Sequence, residues 1–183
     1  MFTIKKKRIV TIAILGILAA MAIPAFSVWL PNYKLKSAAR DLYSNFQSAK
    51  LGAIKENMTW AIEFNDDVAG SGKYRIWSCG PDGTWTGGGD DTQKKPNTGW
   101  FELSAYGYGV DFGHGNANNN IPGDPFGANI SYSAKRALFG ARGTANKLGY
   151  VYLSNVKGTT FGVGTPTTAG VIVLRKFQGG TWQ

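Results

Sequence analysis

Three stretches of this chain carry side chains of the kind that bind or react. Residues 80–91, GPDGTWTGGGDD, place Asp82, Asp90 and Asp91 on a glycine-rich backbone. Calcium takes about 6 to 8 hard oxygen ligands and tolerates irregular geometry, so these carboxylates with loop carbonyls form a candidate calcium site. The spacing lacks the terminal glutamate of an EF-hand, and the plain alternative is a solvated turn whose Asp and Gly residues accept unusual backbone angles. Residues 113–124 hold His114, the only histidine of the chain, which excludes a histidine metal cluster. No nucleophile-elbow pattern accompanies it, and a Gly- and Asn-rich loop is a poor holder of catalytic geometry. The third stretch is basic: Lys135, Arg136, Arg142 and Lys147 approach the closing strands, followed by Arg175 and Lys176. Attraction to a phosphate backbone without base readout is the chemistry such a face supports, and a solvated basic surface is the bland reading. Gly162-Val163-Gly164 lacks both the spacing and the following helix of a phosphate cradle. None of this assembles a catalytic constellation, so the expectation is a non-enzymatic protein that requires no cofactor, with calcium the one candidate ion.

The elements that would position these loops begin with residues 9–30, IVTIAILGILAAMAIPAFSVWL, a run of 22 residues without a charge, preceded by Lys5, Lys6, Lys7 and Arg8. As a helix it would reach about 33 Å, near the thickness of a bilayer's hydrocarbon core. The basic flank is expected to stay on the cytoplasmic side and send residues 31–183 outward. Two other readings compete. Ala20-Met21-Ala22 resembles a secretory cleavage site with a cut after Ala22, and a buried core helix is the weaker third reading. Gly16 and Ala20 form a small-xxx-small pair flanked by Ala13 and Ala19, which lets helix backbones approach closely. Pro24 lacks an N–H and is expected to kink the helix.

After Pro31 and Asn32 the pattern becomes amphipathic. Leu35, Ala38, Ala39, Leu42, Phe46, Ala49 and Ala53 recur at spacings of three and four, one helical face ending near Asn57, while Lys34, Lys36, Arg40, Asp41, Gln47 and Lys50 fill the rest. The remainder reads as strands joined by glycine-rich loops, with candidates at residues 58–65, 74–79, 100–110, 130–139, 149–154, 159–163 and 171–177. Trp60, Ile62 and Phe64 share one face of the first. The short links favour antiparallel pairing. The formal charge is +9, and without the four flanking cations 16 bases face 11 acids, a mild excess that does not by itself single out nucleic acid. A single cysteine, Cys79, excludes an intramolecular disulfide and is expected to be buried, an intermolecular bridge being the alternative.

Residues 12–24, IAILGILAAMAIP, resemble the N-terminal helix of type IV pilins and pseudopilins. LKSAARDL at 35–42 and the stretch 49–57 look like the GspH/FimT branch, the minor pseudopilins and minor pilins; FGARG at 139–143 and GYVYLSN at 149–155 are similar to that branch's closing strands. The loop at 80–91 looks like the GPDG…DD loops of some pseudopilins, and the remainder of 66–130 carries no part of the resemblance. The resemblance implies an α+β, type IV pilin-like fold, a long kinked N-terminal helix packed on an antiparallel β-sheet head. It implies a structural subunit held first in a bacterial inner membrane, with a periplasmic or extracellular head. The subunit then joins copies of itself or other pilins in a cell-surface filament of a type II secretion or type IV pilus machine.

Two departures accompany it. The family's glutamate near the mature N-terminus falls on Lys7, or on Lys6 if the alignment is anchored at Phe2, and the pre-cleavage glycine falls on Phe2 in the first alignment. A lysine would repel the N-terminal amine that the glutamate pairs with. The GRxR pattern by which some FimT-like proteins bind DNA is also broken, since Gly170 is followed by Val171 and Val173 where the arginines belong. The organisation expected is therefore 1–30 as basic flank and membrane or filament-core half of the helix, 31–57 as its amphipathic half, and 58–183 as a β-rich head. From a different class comes an exported or anchored β module for carbohydrate or calcium, with the N-terminus serving only as signal or anchor.

Overall fold

The computed structural model describes residues 2–86 and 88–183, and for residues 2–8, 19, 21–26 and 28 it describes the backbone alone. Helix α1 runs without interruption over Phe2–Glu56. Its second half is helical for the reason the spacing suggests: Leu35, Ala38, Ala39, Leu42, Phe46, Ala49 and Ala53 are all 0–1% exposed, one continuous stripe facing the head. The helix ends where Asn57 enters the left-handed region (φ 52). The Met58 amide then bonds the Ala53 carbonyl at 3.1 Å and the Asn57 amide bonds that of Ile54 at 3.3 Å, the paired closure that an Asn at this position tolerates. The kink expected at Pro24 falls on side chains outside the described residues; the backbone assignment is helical through it.

Two antiparallel sheets pack on that stripe. The first contains β1 (Trp60–Asn65), β2 (Lys73–Ser78), β3 (Thr92–Lys95), β4 (Phe101–Glu102) and β6 (Arg136–Phe139), in the order β3-β2-β1-β6 with β4 also on β2. The second contains β5 (Asp111–Phe112), β7 (Gly149–Ser154), β8 (Thr160–Thr165), β9 (Val173–Gln178) and β10 (Thr181–Trp182), in the order β10-β9-β8-β7-β5. Register follows burial in β1: Trp60, Ile62 and Phe64 face the helix, as their alternation requires, and Glu63 on the other face pairs with Arg75 across the strands. Phe46 sits where helix and sheet meet, its ring 6.0 to 6.2 Å from those of Phe64, Tyr132 and Phe139. At Gly52 the helix passes so close over the Trp60 indole that an added Cβ would collide with it.

Two expected strands break. Residues 100–110 hold only the short β4, a 3-10 turn over Leu103–Tyr106 and then three successive positive φ angles at Gly107, Tyr108 and Gly109, which no strand accommodates. Residues 130–139 divide because this segment passes between the sheets. Ile130 bridges Val151 of the second sheet, a 3-10 turn follows at Ser133–Lys135 with Ala134 and Lys135 at positive φ, and β6 then joins the first sheet beside β1. The buried Tyr132 hydroxyl anchors the passage, sharing a 2.8 Å hydrogen bond with Thr165 Oγ1 and accepting one from the Thr165 amide at 2.9 Å. The polar edge strand β3 and the two-residue β5 and β10 were not among the expected strands.

Replacing the central ring tests this arrangement. Phe46→Ala should cost about 3–5 kcal/mol, read as a lowered denaturant midpoint of head tryptophan fluorescence for the full chain in detergent micelles. A loss under about 1 kcal/mol would mean that helix and sheets do not share one core.

Candidate functional site

The surface that most requires an explanation is the first half of α1. Ile9, Val10, Ile12, Ile14, Leu15, Ile17 and Leu18 are each more than half exposed. At about 100° per residue these positions lie all round the helix, so no face of the head covers them. Burying such side chains is worth about 1.5–3 kcal/mol each, a sum comparable to the whole stability of a domain. Ala13, Gly16 and Ala20 are exposed on one stripe of this segment, and a Cβ built on Gly16 meets nothing within 4 Å. The side chains of Ala19, Pro24, Lys5, Lys6, Lys7 and Arg8 lie outside the described residues, so the basic flank and part of the packing stripe are known by sequence alone. Residues 9–30 likewise include positions outside the description, and among the described residues no helix is long and apolar enough to cross a membrane.

The candidate calcium ligands accept hydrogen bonds from their own loop. Asp82 accepts from the Thr84 amide at 2.8 Å, Asp90 from the Asp82 amide at 3.5 Å, and Asp91 Oδ2 from the Thr86 amide at 2.8 Å and hydroxyl at 3.0 Å. Among the described residues no three His, Cys, Asp or Glu side chains are grouped to hold a metal ion. Cys79 is buried beneath this loop, its thiol pushed up to about 12 first by burial and then by the neighbouring Asp91 and Asp82 charges. His114 stacks on Phe126 with ring centres 4.4 Å apart, and its Nδ1 lies 3.2 Å from the Ala117 carbonyl oxygen.

The basic candidates meet different partners. Lys135 is paired with Asp66 at 2.6 Å and Asp67 at 2.8 Å; this partner holds the Asp67 carboxyl below its usual range, and the two acids push the lysine up to about 12. Arg136 lies over the Trp85 ring at 5.3 Å, whereas Arg175 and Lys176 stand exposed on β9 in the other sheet. Arg142 is exposed on the link after β6.

Two features escaped the sequence reading. The first is a ladder on the outer face of the first sheet: the Arg75 guanidinium lies 4.0 Å from the Trp100 ring centre and 4.6 Å from that of Trp77, which meets Trp85 edge to face at 5.2 Å. Arg75 and Trp77 two apart in β2 carried half of the signal, but their partners come from distant loops. The second is a groove of about 410 Å³ where the apolar helix enters the head, lined by Trp29, Asn32, Tyr33, Lys36, Phe161 and Lys176. Its helical residues fall at i, i+3, i+4 and i+7, and the residues facing them are more than a hundred positions away. No family model, curated protein or solved structure matches the chain.

Burial of Cys79 makes a chemical prediction. At pH 8 its alkylation by iodoacetamide should be at least about 100-fold slower in the native chain than in denaturant, since the thiolate is the nucleophile. Equal rates, followed by intact mass, would mean that the thiol is open.

Proposed function

We propose that the chain is a non-enzymatic structural subunit of a type IV pilus-like filament, serving a type II secretion pseudopilus or a type IV pilus. The observation that carries this reading is the division of α1. One half is buried stripe by stripe in the head, and the other is apolar and exposed on every side. A surface of that kind is covered either by lipid or by like helices, and a subunit that is first anchored and then assembled uses both in turn. The resemblance of residues 12–24 to pilin helices and the open Gly16 stripe support the same reading. In this account the inner membrane holds the subunit before assembly, with Lys5 to Arg8 on the cytoplasmic side and the head outside. Neighbouring pilin helices then replace the lipid.

The cation at Lys6 or Lys7, where pilins carry a carboxylate, gives the subunit a different partner requirement at its N-terminus. A lysine there seeks an acid or a carbonyl from a neighbour instead of its amine.

Because a Cβ built on Gly16 meets none of the described residues within 4 Å, Gly16→Leu should leave the head's melting temperature within about 1 °C, a change well under 1 kcal/mol, and remove the subunit from the sheared-filament fraction. Undiminished incorporation would count against the reading. The N-terminal peptide of protein from membrane, sheared and soluble fractions is a second test. A soluble chain beginning at Ile23 would assign residues 1–22 to a cleaved signal peptide and favour an exported binding module.

A further inference from the structure

The groove at the helix–head junction lies at the one level of the molecule where an apolar helix gives way to polar surface. Trp29 and Tyr33 stack along the helix with ring centres 5.0 Å apart and interplanar angle 21°, yet stand 57% and 52% exposed. Lys36 is one turn further along the same face, and Lys176 of β9 closes the groove from the head. The position of Asn32 is set from the head: its Oδ1 accepts from Thr159 Oγ1 at 2.7 Å and from Asn155 Nδ2 at 3.1 Å, so the oxygen is occupied and the amide donors are the group left to meet an acceptor. The groove thus combines an aromatic wall, two ammonium groups and an amide.

Charge in the chain is divided in a way that bears on this end. All 11 acidic residues lie within residues 41–124, and the segments on either side carry 14 of the 20 bases and no acid. The groove is built entirely from those acid-free segments. At the same level Lys34 lies between Tyr33 and Lys36 on the helix, about 100° round from Tyr33, and Lys157 with the 68%-exposed Val156 follows Asn155 in the turn that contacts Asn32. Depth agrees with charge. If residues 9–30 occupy the hydrocarbon, Trp29 stands at its edge and Lys36 about 10 Å beyond, within side-chain reach of a headgroup layer about 5–8 Å deep. Indole and phenol rings favour that layer, and cations there gain from anionic lipid.

We propose that this groove seats the phosphate headgroup of an anionic phospholipid, with Lys36, Lys176 and the Asn32 amide on the phosphate and Trp29 and Tyr33 against the glycerol and upper acyl chain. The site rests on the membrane-anchored stage of the function proposed above. It would hold the head at a set height on the bilayer until the subunit is withdrawn into a filament.

The test places the full chain in nanodiscs containing equal amounts of phosphatidylcholine and phosphatidylglycerol and reads, by native mass spectrometry, the ratio of anionic to neutral lipid retained on the protein. The wild type should be enriched in the anionic lipid. Lys36→Glu with Lys176→Glu should lower the enrichment at least about fivefold, on the scale expected for losing two interfacial cations. Trp29→Ala with Tyr33→Ala should lower lipid retention of both kinds, and Lys36→Arg with Lys176→Arg should keep the preference. Both lysines are exposed, so thermal unfolding monitored by circular dichroism should not change in the charge variants. Lys34→Glu with Lys157→Glu alters net charge equally at the same level but outside the groove; an equal loss of preference there would reduce the effect to general surface charge and overturn the site. Loss of wild-type enrichment on adding millimolar inorganic phosphate would reassign the groove to free anions and overturn it as well. A chain that inserts normally but shows no lipid preference overturns the groove alone, whereas a chain that does not insert overturns the anchored stage and the groove together.

Discussion

The structure depends on one burial event, the docking of a single helical stripe against two sheets. Leu35 to Ala53 present small and large apolar residues in turn, and every one is lost from solvent. The alanines let the backbone approach the sheets, and Gly52 lets it approach further, onto the Trp60 ring. The helix is a core element shared by both sheets, which also meet directly where the Phe64 ring packs against those of Phe112 and Tyr132. Polar ties at its margins fix where along the stripe each sheet sits: Asn32 to Asn155 and Thr159 near the entry, Asn45 to the Tyr74 hydroxyl, and Lys50 to the Gly170 carbonyl. Hydrogen bonds of this kind are individually modest but costly to leave unmade, which makes them registers more than sources of stability.

The same helix divides into two halves of different surface. Its head-bound half is amphipathic and its free half is apolar all round, and the change occurs within one turn near Pro31, which is itself buried. A helix that is continuous across this change couples the orientation of the head to whatever covers the free half. Motion of the head relative to the free half then requires either bending the helix or breaking its ties at Asn32 and Lys50. The aromatic and basic rim at the junction sits at this mechanical boundary, and that is the physical reason a headgroup contact there would bear on the height of the head.

The loop at residues 80–91 is bonded in part by its own aspartates. Asp82 and Asp91 accept hydrogen bonds from amides a few residues away, the local bonding that makes Asp a turn residue. The outer face of the first sheet carries its charge in a different form, with Arg75 held between two indoles and bonded to Glu63 at 2.7 Å. The guanidinium is consumed by this ladder, which stiffens β1, β2 and the loop around Trp100 into one surface. Lys135 is occupied in the same sense by Asp66 and Asp67.

Local periodicity by itself determined the helix, its buried stripe and its end near Asn57, because burial in a helix repeats every three to four residues and a capping Asn acts within two. It also determined β1, β2 and β7 to within two residues, since alternation in a strand is equally local. The free apolar half was legible for the same reason. Only the tertiary structure decided where the segment around Tyr132 leaves one sheet for the other, because the anchoring bond is made to Thr165, 33 residues on. It alone decided that Lys135, Arg136 and Lys176 serve three separate places, that a polar edge strand forms at Thr92–Lys95, and that Trp29, Asn32, Tyr33 and Lys36 face Phe161 and Lys176 across a groove. Such pairings are set by the closing of long loops on a common core, and a sequence read through short windows contains no record of which distant partner arrives.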